Sequence, residues 1–220
     1  MLSKEKEKQI KNLQTKKGRA KSGLCLVEGT KVIEACGNFL IYQFDQTMTE
    51  NFDQLVTTET PQLVAGVAKI PQWNLKDLKK KSIIVVLDGV QDPGNVGTIL
   101  RSCLGFGAGL VLIDSVDPSN PKVIRSSVGA VFQTPWLSIS RSDFLKVIKE
   151  FDYPIYRLEK REGAKSIDSF KKPAIIIAGS EGQGIITNFK APSVYIPHHQ
   201  DLESLNVAQA LTVFLYSLSV

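Results

Sequence analysis

IIVVLDGVQDPGNVGTILR, residues 83–101, carries a strand, a turn and a helix start in one short stretch. Residues 83–88 form an uninterrupted, β-branched apolar run of the kind buried on both faces of a parallel sheet. Pro93 and Gly94 place a turn at its end, and a helix is expected from near Asn95 with Arg101 two turns along. Runs of the same type recur at 110–114, 154–158, 174–179 and 193–197, with helical patterns at 96–104, 142–150 and 205–218 between them. Strands alternating with helices require crossover connections, which predicts an α/β architecture: an open parallel sheet with helices on both faces.

Working back towards the N-terminus, residues 1–75 read as a separate small α/β domain and residues 76–220 as the main one. VEGTKVIEAC (27–36) is helix-like, and 39–44 and 62–70 are strand-like. IPQWNLKDLKKKS (70–82) reads as a linker or exposed helix. Residues 1–22 hold eight basic residues against Glu5 and Glu7, a net of +6, so the other 198 residues nearly balance within the chain's total of +5. A basic arm on a near-neutral body is the footprint of a polyanionic partner or a solvated, half-disordered tail.

Several classes drop out. No apolar run approaches the roughly 20 residues a bilayer span needs, and the start lacks a secretory apolar region, so a cytoplasmic chain with no membrane partner is expected. Cys25, Cys36 and Cys103 are too far apart for a metal motif and odd in number, which leaves them as packing thiols. GFGAG (105–109) follows a helix and precedes a strand, the reverse of a dinucleotide loop, and no GxxxxGK[ST] is present. His198 and His199 are the only histidines; adjacent on an extended segment, they point to opposite faces and suit a polar loop better than a shared metal or triad.

Three motifs remain: NVGTILR (95–101), GSEGQGI (179–185) after the strand AIIIA, and ESLNVAQA (203–210). In the second, glycines let the backbone approach a ligand, with Glu181 as the lone acid. In the third, Ser204 is a candidate N-cap for the last helix, whose free amides suit a carboxylate.

Together these motifs resemble those of the SpoU family of SPOUT methyltransferases: Asn95, Gly97 and Arg101, then GSEG with GI, then SLNV before a helix. RSSVGAVF (125–132) adds a weaker likeness, and VEGTKVIEA looks like the opening of the small RNA substrate-binding domain that precedes many such catalytic domains. The resemblance implies a trefoil knot in the C-terminal part, a feature folds otherwise avoid, and a homodimer. It also implies S-adenosyl-L-methionine as cofactor, held against Leu158, Gly179, Ile196, Ser204 and Leu205 mainly through backbone. Asn95, Arg101, Glu181, Ser204 and Asn206 would face the reacting ribose, with no metal.

The implied reaction is in-line attack of a ribose 2'-hydroxyl on the cofactor's methyl group, for which the protein supplies alignment and relief of the proton or developing charge. A guanidinium stays protonated in water, which favours Arg101, supplied in such a dimer by the partner subunit, as a charge stabiliser over a base. Ribosomal RNA, 23S in particular, is the preferred substrate because of the N-terminal domain. Transfer RNA, a catalytically silent RNA-binding knot protein, and a base or small-molecule methyltransferase are the alternatives.

Overall fold

A computed structural model of the chain describes residues 1–58, 62–167 and 170–218. The first part opens with two helices, α1 (Lys4–Leu13) and α2 (Lys16–Ser22), followed by β1 (Leu24–Glu28), α3 (Thr30–Cys36), β2 (Leu40–Asp45), the single turn α4 (Phe52–Leu55) and β3 (Val64–Lys69). The three strands form an antiparallel sheet in the order β1-β3-β2. A second short helix, α5 (Leu75–Leu78), leads into the main sheet.

Residues 1–22, read as either an arm for a polyanionic partner or a half-disordered tail, fold as two helices. Ser3 caps α1, accepting from the Lys6 amide, and Thr15 caps α2, accepting from the Gly18 amide. Ile10 and Leu13 are completely buried in a cluster with Leu26, Phe44, Phe52 and Leu55. Burying two such side chains stabilises the docked helix by about 1.5–3 kcal/mol each, which the charge pattern by itself could not indicate. Within 27–36, Val27 and Glu28 belong to β1, paired with Gly66 and Ala65; the helix starts only at Thr30, after Gly29 at φ 95°. Sheet pairing there overrides the local helical pattern.

The main sheet is parallel throughout. Its strands are β4 (Ile83–Asp88), β5 (Gly109–Ile113), β6 (Trp136–Ile139), β7 (Ile155–Leu158), β8 (Lys165–Ser166), β9 (Ala174–Gly179) and β10 (Ser193–Tyr195). They lie in the order β6-β5-β4-β9-β7-β10-β8. All six residues of β4 are buried, as the unbroken apolar run requires. β6 and β8 were not legible beforehand: Trp136–Ile139 is a half-exposed four-residue strand, and β8 is two residues long at the far edge.

Helices α6 (Pro93–Gly105), α7 (Pro121–Ser126), α8 (Phe144–Ile148) and α9 (Val207–Ser217) cover the sheet. GFGAG runs from the end of α6 into β5, so it is a helix-to-strand turn. All three cysteines are free and buried, and burial pushes the Cys36 and Cys103 thiols up to about 12, which makes them inert packing groups. A continuous apolar cluster joins residues of the first sheet, such as Cys25, Val27 and Ala68, to Val85, Leu87 and Val123 of the second part. Two ion pairs reinforce that junction: buried Arg19 to Asp117 at 2.7 Å and Arg125 to buried Glu28 at 2.7 Å. The likeness at 125–132 thus coincides with the surface on which the first sheet rests. Among the described residues no helix is long and apolar enough to cross a membrane.

Candidate active site

The three motifs converge at the C-terminal ends of β4 and β9, where an open parallel sheet leaves its crevice. Register brings them there: Asp88, the last residue of β4, lies beside Gly179, the last of β9. The first motif is carried by α6, which begins two residues earlier than expected. Asp92 is its N-cap, accepting from the Asn95 amide at 2.7 Å, and Pro93 occupies the first turn. An acid directly before a proline is a helix-start signature, so Pro93 and Gly94 are helical and not a separate turn. Gly97 is needed for packing, since a Cβ there would sit 1.9 Å from Ser126 Oγ on α7.

Asn95, Glu181 and Asn206, separated by up to 111 positions, form one hydrogen-bonded cluster. The Asn206 side-chain amide donates to Glu181 Oε1 at 2.7 Å and to Asn95 Oδ1 at 3.0 Å, and the Asn95 side-chain Nδ2 donates to Glu181 Oε1 at 3.3 Å. Asn206 Oδ1 in turn accepts from the Ala208 and Gln209 amides, so Asn206 is the N-cap of α9. That corrects the expectation for Ser204: an asparagine two residues later takes the cap, and Ser204 stays exposed on the cleft wall. Two amides therefore hold one carboxylate oxygen of Glu181. Its other oxygen, Oε2, has no hydrogen-bond partner among the described residues, and Glu181 is exposed.

Leu158, Gly179, Ile196, Ser204 and Leu205 line two adjoining clefts beside this cluster. One combines Leu158, Ile196, Leu205 and Ala210 with Glu159 and Glu203; the other runs over Gly179, Ser180, Glu181 and Gly184. Lys160 lines both clefts as well, so the rim is mixed in charge; the apolar slot suits a flat aromatic ring such as that of S-adenosylmethionine, with Glu159 and Glu203 on the wall for its cationic tail. Gly179 has a different task from leaving room for that ligand. A Cβ on it would lie 2.0 Å from the Gly184 carbonyl carbon and 2.3 Å from the Ile185 amide, so the loop 180–185 folds tightly back over the strand end, pinned by a bridge between Ser180 and Gly184.

Arg101 does not join the cluster. Six residues beyond Asn95, it is displaced by about 9 Å along α6 and about 120° around it. It is exposed, and among the described residues it makes no hydrogen bond or ion pair. Its helical neighbour Leu104 is 40% exposed and, like Tyr216 of α9 at 59%, belongs to the outer face of this helix pair. Ser102 and Thr212 join the two helices through a 2.7 Å hydroxyl contact.

Other groups went unrecognised from sequence. Asp88, fully buried beneath the site, accepts from Arg141 Nη2 at 2.6 Å and from the Thr187 amide at 2.6 Å, while Arg141 also pairs with Asp114 at 3.0 Å. Burial pushes the Asp88 carboxyl up, but the hydrogen bonds outweigh it and hold the group below its ordinary value. An acid ending an apolar strand was the available signal; its partners lie 53 and 99 residues away. His198, expected in a polar loop, does follow β10, yet its ring lines the cleft and its Nδ1 is 2.6 Å from the Ile196 carbonyl oxygen. Among the described residues no cluster of three or more His, Cys, Asp or Glu could hold a metal ion.

The chain is 28% identical, over 97% of its length and 96% of the relative's, to the 23S rRNA (guanosine(2553)-2'-O)-methyltransferase RlmP of Bacillus subtilis. An AdoMet-bound rRNA methyltransferase from Sinorhizobium meliloti superposes with a TM-score of 0.85 at 24% identity, covering 99% of this chain and 95% of that one. A structure described as giving insight into 2-OH methylation of C/U34 on tRNA covers only 61% of this chain and 91% of its own, with a TM-score of 0.55 and 24% identity. The model of the SpoU rRNA Methylase family matches residues 82–216, from the strand that opens the main sheet to the helix that Asn206 caps. With that span containing all three motif loops, the chain belongs to the SpoU rRNA methylase family.

Proposed function

We propose that the protein is an S-adenosylmethionine-dependent methyltransferase that modifies a ribose 2'-hydroxyl in ribosomal RNA, most simply 23S. The observation that carries this is the Asn95–Glu181–Asn206 cluster abutting a cleft that has an apolar slot and the carboxylates of Glu159 and Glu203 on its wall. When bound, the cofactor supplies a methyl group on a sulfonium. Leu158, Ile196 and Leu205 hold its ring, and the backbone around Gly179 and Ser204 its polar part. Glu181 Oε1 is fixed by two amides, so Oε2 is oriented to accept the hydrogen bond of an incoming hydroxyl. Asn95 and Asn206 keep that carboxylate in place at the N-termini of α6 and α9.

Arg101 belongs to this chemistry only across a homodimer. Leu104, Val213 and Tyr216 leave an apolar outer face on α6 and α9 beside Arg101, and a second copy seated there would carry its Arg101 towards a site it does not form itself. The guanidinium then stabilises the developing alkoxide. The close fold of 180–185 over β9 is compatible with a trefoil knot in residues 76–220. Residues 1–75 serve RNA binding, and the cytoplasm is the matching compartment. Ribosomal RNA is favoured over transfer RNA because the RlmP relative aligns through the N-terminal part, whereas the tRNA-related structure covers 61% of the chain.

The test is to incubate the chain with S-adenosylmethionine and unmodified 23S rRNA transcript and to map alkali-resistant linkages. Arg101→Ala is expected to abolish transfer with cofactor affinity unchanged. Mixing Arg101→Ala with Asn206→Ala subunits restores part of the activity. A methyl group found on a base atom, or full activity in Arg101→Ala, would refute the assignment.

A further inference from the structure

The eight basic residues of 1–22 do not act as one charge cloud, because the helix pair sorts them. Arg19 turns inward: it is 3% exposed, and it donates to Asp117, Ser119 and the Leu13 and Gln14 carbonyl oxygens. Lys6 lies 4.8 Å from the Tyr42 ring centroid, and Lys11 Nζ donates to Gln54 Oε1. Lys8, Lys17 and Lys21 do otherwise: all three are exposed, and they line one groove between α1 and α2.

The groove has a built floor. On α1, Glu5, Lys8, Gln9 and Asn12 follow the i, i+3, i+4, i+7 spacing of a single helix face, and on α2 Lys17 and Lys21 are one turn apart. The two rows converge because α2 touches α1 at a glycine: a Cβ on Gly18 would be 1.9 Å from the Asn12 carbonyl oxygen. Arg19, two residues from both Lys17 and Lys21, points about 200° away from each and anchors the pair to the main domain. Three ammonium groups stand beside the neutral donors Gln9 and Asn12, with Glu5 as the lining acid; Leu13, the one large apolar side chain of the lining, is fully buried below.

We propose that this groove is a second RNA-binding site, which grips backbone phosphates of the substrate RNA away from the nucleotide being methylated. It rests on the reading of the substrate as RNA. The lysines contribute affinity without reading bases. Because Arg19 and Asp117 tie α2 to the loop between β5 and α7, the gripped segment is held at a set position relative to the cleft.

The test compares two variants of equal net charge, Lys8→Gln/Lys17→Gln/Lys21→Gln and the control Lys76→Gln/Lys146→Gln/Lys149→Gln, for binding to 23S rRNA transcript between 50 and 200 mM salt. At about 0.7 per phosphate contact, losing three flattens the slope of log affinity against log salt by about 2. The groove variant's deficit relative to wild type should therefore shrink about 16-fold across that range, with the control close to wild type and S-adenosylmethionine affinity unchanged in both. Equal slopes for the two variants, or a groove variant that binds like wild type, would overturn the proposal. A wild-type chain that transfers no methyl group but shows the groove-specific salt effect would sink the reaction and leave the groove standing.

Discussion

Gly179→Ala is the smallest change that tests how the cofactor cleft is built. The added methyl would lie 2.0, 2.1 and 2.3 Å from the carbonyl carbon and oxygen of Gly184 and the Ile185 amide. Ordinary contact begins near 3.4 Å, so the shortfall is more than an ångström. All three atoms are backbone, and no side-chain rotation relieves the overlap. Either β9 or the loop 180–185 must move, and the loop carries Glu181. Overpacking of this kind costs about 1–3 kcal/mol, which for a chain of this size lowers Tm by about 2–12 °C. Gly184→Ala is the internal control: nothing lies within 4 Å of its Cβ, so it incurs only the left-handed strain of φ +65°, about 1–2 kcal/mol, with the strand end undisturbed. Calorimetric titration with S-adenosylmethionine, together with thermal melts, reads both effects. Gly179→Ala is expected to lose cofactor binding at least tenfold, and Gly184→Ala far less. If Gly179→Ala bound the cofactor with wild-type affinity and melted within a degree of wild type, the loop would not be seated on the strand as described.

Arg19→Ala strips the buried partner from Asp117 and should cost about 3 kcal/mol or more in urea unfolding, since breaking such a pair leaves a charge uncompensated; a loss below 0.5 kcal/mol would show that the junction does not depend on it. Removing residues 1–22 takes Ile10 and Leu13 out of the core as well, so this truncation is expected to melt early and not merely to bind RNA less tightly. Asp88 and Glu159 are each raised by burial but lowered more by hydrogen bonds from arginine and neighbouring donors. Their folded values lie below the unfolded ones, so their stabilisation is complete above the ordinary carboxylate range and fades as pH falls through it. Melting temperature should therefore drop steeply below about pH 4, and Asp88→Asn should start lower at pH 7 with a flatter acid limb; an unchanged acid limb would remove Asp88 from the account.

Local chemistry made the catalytic half legible. An apolar run such as Ile83–Asp88 has few folded fates besides a buried parallel strand, and Gly- and Asn-rich loops at strand ends mark where backbone can meet a ligand, so the α/β sheet was readable from residue order, whereas the grouping of Asn95, Glu181 and Asn206 in one site was expected only through the family resemblance. The helix starts were misplaced because several residues near each could cap: Asp92 against Asn95, Asn206 against Ser204. Only the backbone geometry selects which side chain reaches the free amides. The partnership of Asp88 with Arg141 and Thr187 depends on strands and loops 53 and 99 residues apart meeting, and no local rule contains that distance. The charge of residues 1–22 was plain in the sequence, but its use was not. Helix docking on Ile10 and Leu13 turns Arg19 inward and Lys8, Lys17 and Lys21 outward, because burial rewards one face of each helix and the lysines take what is left. Sequence thus determined which groups were present and the strand–helix alternation of the main sheet; tertiary packing decided the edge strands, the helix starts and which groups could face one another, since these are fixed by the summed burial of residues distant in the chain.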